Sequence, residues 1–183
     1  MNDSIKNFLI ISLCIAIGLF ILLYAITKPT ELYDIINCAC KAISITVIFM
    51  GLYERFLWKF NFLDKTPRIN GIYSGTIEYE YGGKFEMKKA SIIIEQSLLS
   101  VRVKITTNEI TSSTIIGNFV VENGENILYY TYITNPKSKY SRDNPVKYGT
   151  CRLVISNKNE LRGNYWTTSQ TIGDMILMRS DEK

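Results

Sequence analysis

The chain has no histidine among its 183 residues. That removes Ser-His and Cys-His catalysis and the commonest transition-metal ligand. Cysteine is scarce too. Of the four, Cys14, Cys38 and Cys40 lie in apolar runs, and Cys151 stands alone in an alternating segment. No C-x-x-C pair occurs, which argues against a zinc site or a disulfide framework. Charge of one sign is also lacking. A net charge of +4 is too small to argue for binding a DNA or RNA polymer. The chain is therefore expected to carry no metal, no cofactor and no catalytic residue.

What it does have is a long apolar start. Phe8 to Ile26 reads FLIISLCIAIGLFILLYAI, with no charge and no proline. At 1.5 Å per residue this helix is ~28 Å long, close to the thickness of a bilayer's hydrocarbon core. A cleaved signal peptide needs a basic start and a small-residue cleavage site. Lys6 is the only early basic residue, and no A-x-A site follows Ala25, so the run is read as a retained span. A second span is expected from Ile35 to Tyr53. Lys41 interrupts it, either snorkelling to the headgroups or acting as an intramembrane charge.

The connection between the spans is short, so they form a helical hairpin with both ends on one side. Lys6, Arg55, Lys59, Lys65 and Arg68 flank those ends. By the positive-inside tendency that side is the cytoplasm. Phe56, Trp58, Phe60 and Phe62 fit either an interfacial aromatic belt or an amphipathic surface helix. The expected organisation is a two-span hairpin over residues 1–60, a linker over 61–69 and a strand domain over 70–183.

From Asn70 onward, period-2 alternation replaces helical periodicity. Eight strands are expected, at Gly71–Tyr81, Phe85–Ser97, Leu99–Thr107, Thr111–Glu122, Ile127–Thr134, Lys147–Ser156, Glu160–Thr168 and Ile172–Arg179. Their short connections favour an up-and-down, lipocalin-like antiparallel β-barrel over a sandwich. One face is apolar: Tyr73, Ile77, Ile92, Val103, Ile115, Leu128, Leu153 and Leu177 belong to it. The other carries Glu78, Arg102, Lys104, Arg152 and Arg162. Apolar inside and polar outside is the pattern of a soluble barrel, the reverse of an outer-membrane one.

Alternating strand direction sorts the loops between the two ends. The end opposite the start of the first strand collects Gly82-Gly83, Asn108–Ile110, the long loop 135–146 and Ser169–Thr171. A ligand mouth is expected there. Inward or rim residues at that end are Tyr79, Thr107, Ser113, Tyr132, Thr134 and Thr167. The long loop adds Lys137, Lys139, Tyr140 and Arg142. Aromatics stack on bases, hydroxyls bond base edges and ribose, and cations meet phosphate. No carboxylate pair and no activated nucleophile appears at this end.

Five segments carry a family resemblance: NGIYSG (70–75), IIIEQ (92–96), LYYTYITNP (128–136), LRGNYWTT (161–168) and IGDMILMR (172–179). With the two preceding spans, their order resembles the two-transmembrane β-barrel effector family of bacterial CBASS, the cyclic-oligonucleotide-based antiphage signalling systems. Tyr73 replaces an expected tryptophan, and TTNEIT (106–111) replaces a run of alternating serines. The resemblance implies an antiviral effector. A nucleotidyltransferase senses infection and makes a cyclic dinucleotide, the activating ligand, and the barrel binds it. The chain then oligomerises and disrupts the bacterial inner membrane, giving abortive infection. The resemblance places Thr107, Ser113, Tyr132, Asn135 and Thr167 around the ligand mouth, and Tyr79 and Arg142 join them as expected ligand contacts from the composition of the rim and the long loop. The alternative is a membrane-tethered carrier or sensor of a lipid or other small ligand.

Overall fold

The computed structural model describes residues 3–61, 66–81, 84–142 and 144–180. The chain forms two compact units: a helical one, which includes Ser97–Leu99, and a strand unit that starts at Thr66.

In the helical unit, α1 (Asp3–Thr27) packs against α2 (Leu32–Arg55). The face that α2 buries is Cys38, Ala42, Thr46 and Met50, one residue every four. Three of these are small, which lets helix backbones approach closely. The Thr27 hydroxyl lies 3.2 Å from the Cys38 thiol. Lys28 ends α1 in the left-handed conformation at φ 45°, its N–H returning to the Tyr24 carbonyl at 3.0 Å. Pro29 then bars continuation. Both helices are long and apolar enough to cross a membrane. Lys41 is exposed, off the buried stripe of α2. After α2, Leu57–Phe60 forms a 3-10 turn. It buries Trp58 and leaves Phe56 and Phe60 exposed, so these aromatics do not form one uniform belt. Phe62 lies outside the described residues.

The strand unit is a closed barrel. Its strands are β1 (Gly71–Tyr81), β2 (Lys84–Gln96), β3 (Val101–Thr106), β4 (Ile110–Glu122), β5 (Glu125–Pro136), β6 (Tyr148–Asn157), β7 (Glu160–Thr167) and β8 (Ile172–Arg179). Each pairs antiparallel with its sequence neighbours, and β8 returns to β1. Closure removes every free sheet edge. The Gly82-Gly83 turn lies outside the described residues. Glycine allows the close approach of strands where the wall is tightest. A Cβ on Gly163 would collide with the Arg152 carbonyl across β6–β7.

The expected apolar face is the core, with one exception. Tyr73, Ile92, Val103, Leu128, Leu153 and Leu177 point inward and are almost fully buried. Ile115 does not. A β-bulge between Thr114 and Ile116 inserts one residue into β4. Ile115 is that extra residue and is 58% exposed. The bulge reverses the phase of everything on its mouth side. Ser112 pairs with Ile105 and Thr134 and faces in, whereas Ser113 pairs with Lys104 and Ile133 and faces out. At the bulge the Thr114 hydroxyl replaces ladder bonds. It accepts from the Val103 N–H at 2.9 Å and donates to the Val103 carbonyl at 3.0 Å.

The end at which β1 begins is plugged. Ile69 is fully buried there, its N–H bound to Gln96 Oε1 at 3.0 Å. The Tyr73 hydroxyl lies 3.0 Å from the Ile69 carbonyl and 2.8 Å from that of Lys158. The opposite end is open.

Candidate functional site

The open end leads into a cavity of about 430 Å3. That is within the range of small-molecule sites. Its floor is apolar, with Ile77, Ile105 and Met175. These sit where period-2 alternation brings β1, β3 and β8 residues to the inner face. Tyr132 on β5 and Tyr165 on β7 form the walls.

Two glycines hold these rings in place. A Cβ on Gly149 would occupy the space of the Tyr132 hydroxyl end, and one on Gly173 would meet the Tyr165 ring at 2.7 Å. Each glycine is the cross-strand partner of the tyrosine it accommodates. Burial, followed by the nearby Cys151 sulfur, pushes the Tyr132 hydroxyl above the ordinary tyrosine range. Burial does the same to Tyr165, with Tyr79 adding to it. Both rings are neutral at physiological pH and offer a π-face and a donor. Burial also lifts the Cys151 thiol to about 12, so it is no nucleophile.

The rim is polar and charged. Tyr79 donates to Glu86 at 2.5 Å. Lys88 forms an ion pair with Glu109 at 2.8 Å and lies 5.2 Å from the centre of the Tyr79 ring. Burial alone would lower the pKa of Lys88, but Glu109 and Tyr79 together outweigh it and the net shift is upward. Lys147 adds a second cation on the far side of the mouth. Thr134 positions it: the threonine hydroxyl accepts from the Lys147 N–H at 2.9 Å. The Lys137 ammonium donates to the carbonyls of Thr107 at 3.2 Å and Asn108 at 2.9 Å, tying the β5–β6 loop to the β3–β4 turn.

Of the residues expected at this site, Tyr79, Thr107, Tyr132 and Thr167 line the cavity together. The hydroxyls of Thr107 and Thr167 are engaged locally. Thr107 accepts from the Ile110 N–H at 3.1 Å, and Thr167 from the Thr171 N–H at 3.3 Å. Ser113 faces outward because of the bulge, and Ser112 takes its place. Asn135 and Arg142 are exposed and outside the cavity lining. Asn135 pairs with Thr111 on the outward phase of β5. The sequence reading missed Glu86, Lys88, Glu109 and Lys147.

Residues 64–179 match the family described as Cap15, cyclic dinucleotide receptor domain. A curated relative from Staphylococcus schleiferi, CD-NTase-associated protein 15, is 37% identical over 182 residues, covering 98% of this chain and 99% of the relative. Among solved structures, a redesigned β-barrel aligns at TM-score 0.48 and 12% identity, covering 64% of this chain and 100% of its own. Another, bound to DFHBI, aligns at TM-score 0.45 and 14% identity, covering 61% and 94%. Those two scores are too low to bear on function. Family membership rests on the near-full-length relative and on the match across the barrel: the chain belongs to the Cap15 family of cyclic dinucleotide receptors and is an effector of CBASS type.

Proposed function

We propose that the cyclic dinucleotide binds in the open mouth of the barrel, with its bases against Tyr132 and Tyr165 and its phosphates near Lys88 and Lys147. The observation that carries this is the combination in one cavity: two buried aromatic walls, inward hydroxyls and two lysines at the rim. Base–aromatic stacking tolerates any base, and lysine meets phosphate as a point charge. A lipid carrier would need a mostly apolar mouth, and the four charged side chains here argue against one. The protein acts as a receptor, not an enzyme. Its most sheltered thiol is held protonated, and its rim carboxylates are committed to Tyr79 and Lys88.

The ligand comes from a nucleotidyltransferase that senses infection. Binding drives homo-oligomerisation, and clustering of the helix pairs disrupts the inner membrane. Two spans cannot enclose a conduit alone, and an exposed Lys41 on α2 is poorly placed against lipid in a lone chain. In a cluster it meets other helices, water or headgroups. The chain is a two-span inner-membrane protein with the barrel and both termini in the cytoplasm, because the flanking cations lie with the termini. Titration of the full chain in detergent with cyclic di-AMP, cyclic di-GMP and cyclic GMP–AMP tests the binding step. Saturable binding that Tyr132→Ala weakens supports the reading. Equal binding by wild type and Tyr132→Ala would place the ligand elsewhere.

A further inference from the structure

The outer wall of the barrel carries two apolar strips that ligand binding does not use. One is on β4. There the bulge turns Ile115 and Ile116 outward together, 58% and 68% exposed, and Val120 follows beyond Asn118 on the same face. The other is on β8, where Ile172, Ile176 and Met178 are exposed. In the closed eight-strand order, β4 and β8 are four places apart in either direction, so the strips lie on opposite sides of the barrel. Antiparallel alternation makes the two strands run the same way.

The two faces carry opposite charge. On β8 itself, between Ile172 and Ile176, Asp174 stands directly across the ladder from Glu78 of β1, and both are exposed. Facing carboxylates repel. Beside β4, Arg102 and Lys104 are exposed on the outer face of β3. None of these four forms an ion pair among the described residues, although Glu95 faces Arg102 across β2–β3. Lys104 and Asp174 each sit two residues from the mouth-side end of their strand.

We propose that these faces bind each other between copies, the β3–β4 face of one chain on the β8–β1 face of the next. Apolar strip meets apolar strip, and the cations of one copy relieve the repulsion between Glu78 and Asp174 of its neighbour. The contact is heterologous, so each added chain presents the same free face and growth continues. Because the strips lie on opposite sides of the barrel, a translation joins the copies. Every mouth then faces the same way, as copies held in one bilayer require. A symmetric contact of either face with itself would bring like charges together. The inference deepens the assembly reading above and relies on it for the trigger, not for the surface.

The test uses full-length chains in detergent, with Cys14, Cys38 and Cys40 replaced by serine. One chain carries Ile116→Cys and the other Ile176→Cys. Each is treated with a short bismaleimide, alone and mixed, with and without cyclic di-AMP, cyclic di-GMP or cyclic GMP–AMP, and nucleotide binding is read on the same samples. A linked dimer should form in the mixture and be lost when either chain is alone. Links within Ile116→Cys alone would show a symmetric contact and overturn the proposal. Binding without the mixed link overturns this surface and leaves the ligand reading standing. A mixed link without binding does the reverse, and neither signal overturns both. As a check on folding, Glu78→Lys with Asp174→Lys should abolish the mixed link, and adding Arg102→Glu with Lys104→Glu should restore it.

Discussion

The hydroxyl end of Tyr132 fills the space in which a Cβ at position 149 would stand. The aromatic wall of the cavity thus depends on the smallest residue of the neighbouring strand. Gly149→Ala should force the ring to turn and overpack the inner face, at a cost of about 1–3 kcal/mol. The expected result is a lower melting temperature together with weaker nucleotide binding. Calorimetry and titration of the full chain check this, and an unchanged affinity would detach Tyr132 from the ligand.

Contacts at the mouth should sort by position. Tyr132→Ala removes a stacking surface of ~1–3 kcal/mol, roughly five- to 150-fold in affinity. Lys88→Met and Lys147→Met should weaken binding in a way that fades as salt rises. Arg142 is exposed and outside the cavity, so Arg142→Ala should have only a small, salt-dependent effect. Isothermal titration at two ionic strengths separates these classes. A loss at Arg142 larger than at Lys88 would move the phosphates onto the β5–β6 loop.

Affinity should be flat from about pH 6 to pH 9, because no histidine titrates in that window. Tyr79, Tyr132, Tyr165 and Lys88 are shifted upward, away from neutrality. A raised folded pKa gives stability that is full below the unfolded value and is lost as pH rises through the folded one. The barrel should therefore lose thermal stability above about pH 10, where exposed tyrosine and lysine begin to titrate. Circular dichroism melts across that range report it. An affinity step near neutral pH would contradict the assignment of the site.

Much of this was legible in the chain. The two helices and eight strands follow from the apolar run and from alternation, and β1 and β8 have the expected bounds. The bulge was not. Ser112-Ser113 and Ile115-Ile116 place like residues side by side, so either phase of β4 reads equally well. One slip then misassigned Ser113 and Ile115 together. The rim charges carried a usable signal. Glu86, Lys88 and Ala90 continue the period-2 face of Ile92 and Ile94 toward the mouth, as Lys147 and Gly149 continue that of Cys151. Charged residues on an inward face look out of place until the barrel is known to be open at that end.

Topology is open to a direct test. Reporter fusions after residue 183 and within Lys28–Asp34 should place the first in the cytoplasm and the second in the periplasm. A periplasmic signal from the C-terminal fusion would invert the account.

The central claim is that a nucleotide bound in the barrel acts on the bilayer through the helices. It is tested most directly by membrane potential in cells that also make the activating cyclic dinucleotide. The full chain should depolarise the membrane, whereas Tyr132→Ala and a chain lacking residues 1–60 should not. Depolarisation by the chain without its helices would contradict the account.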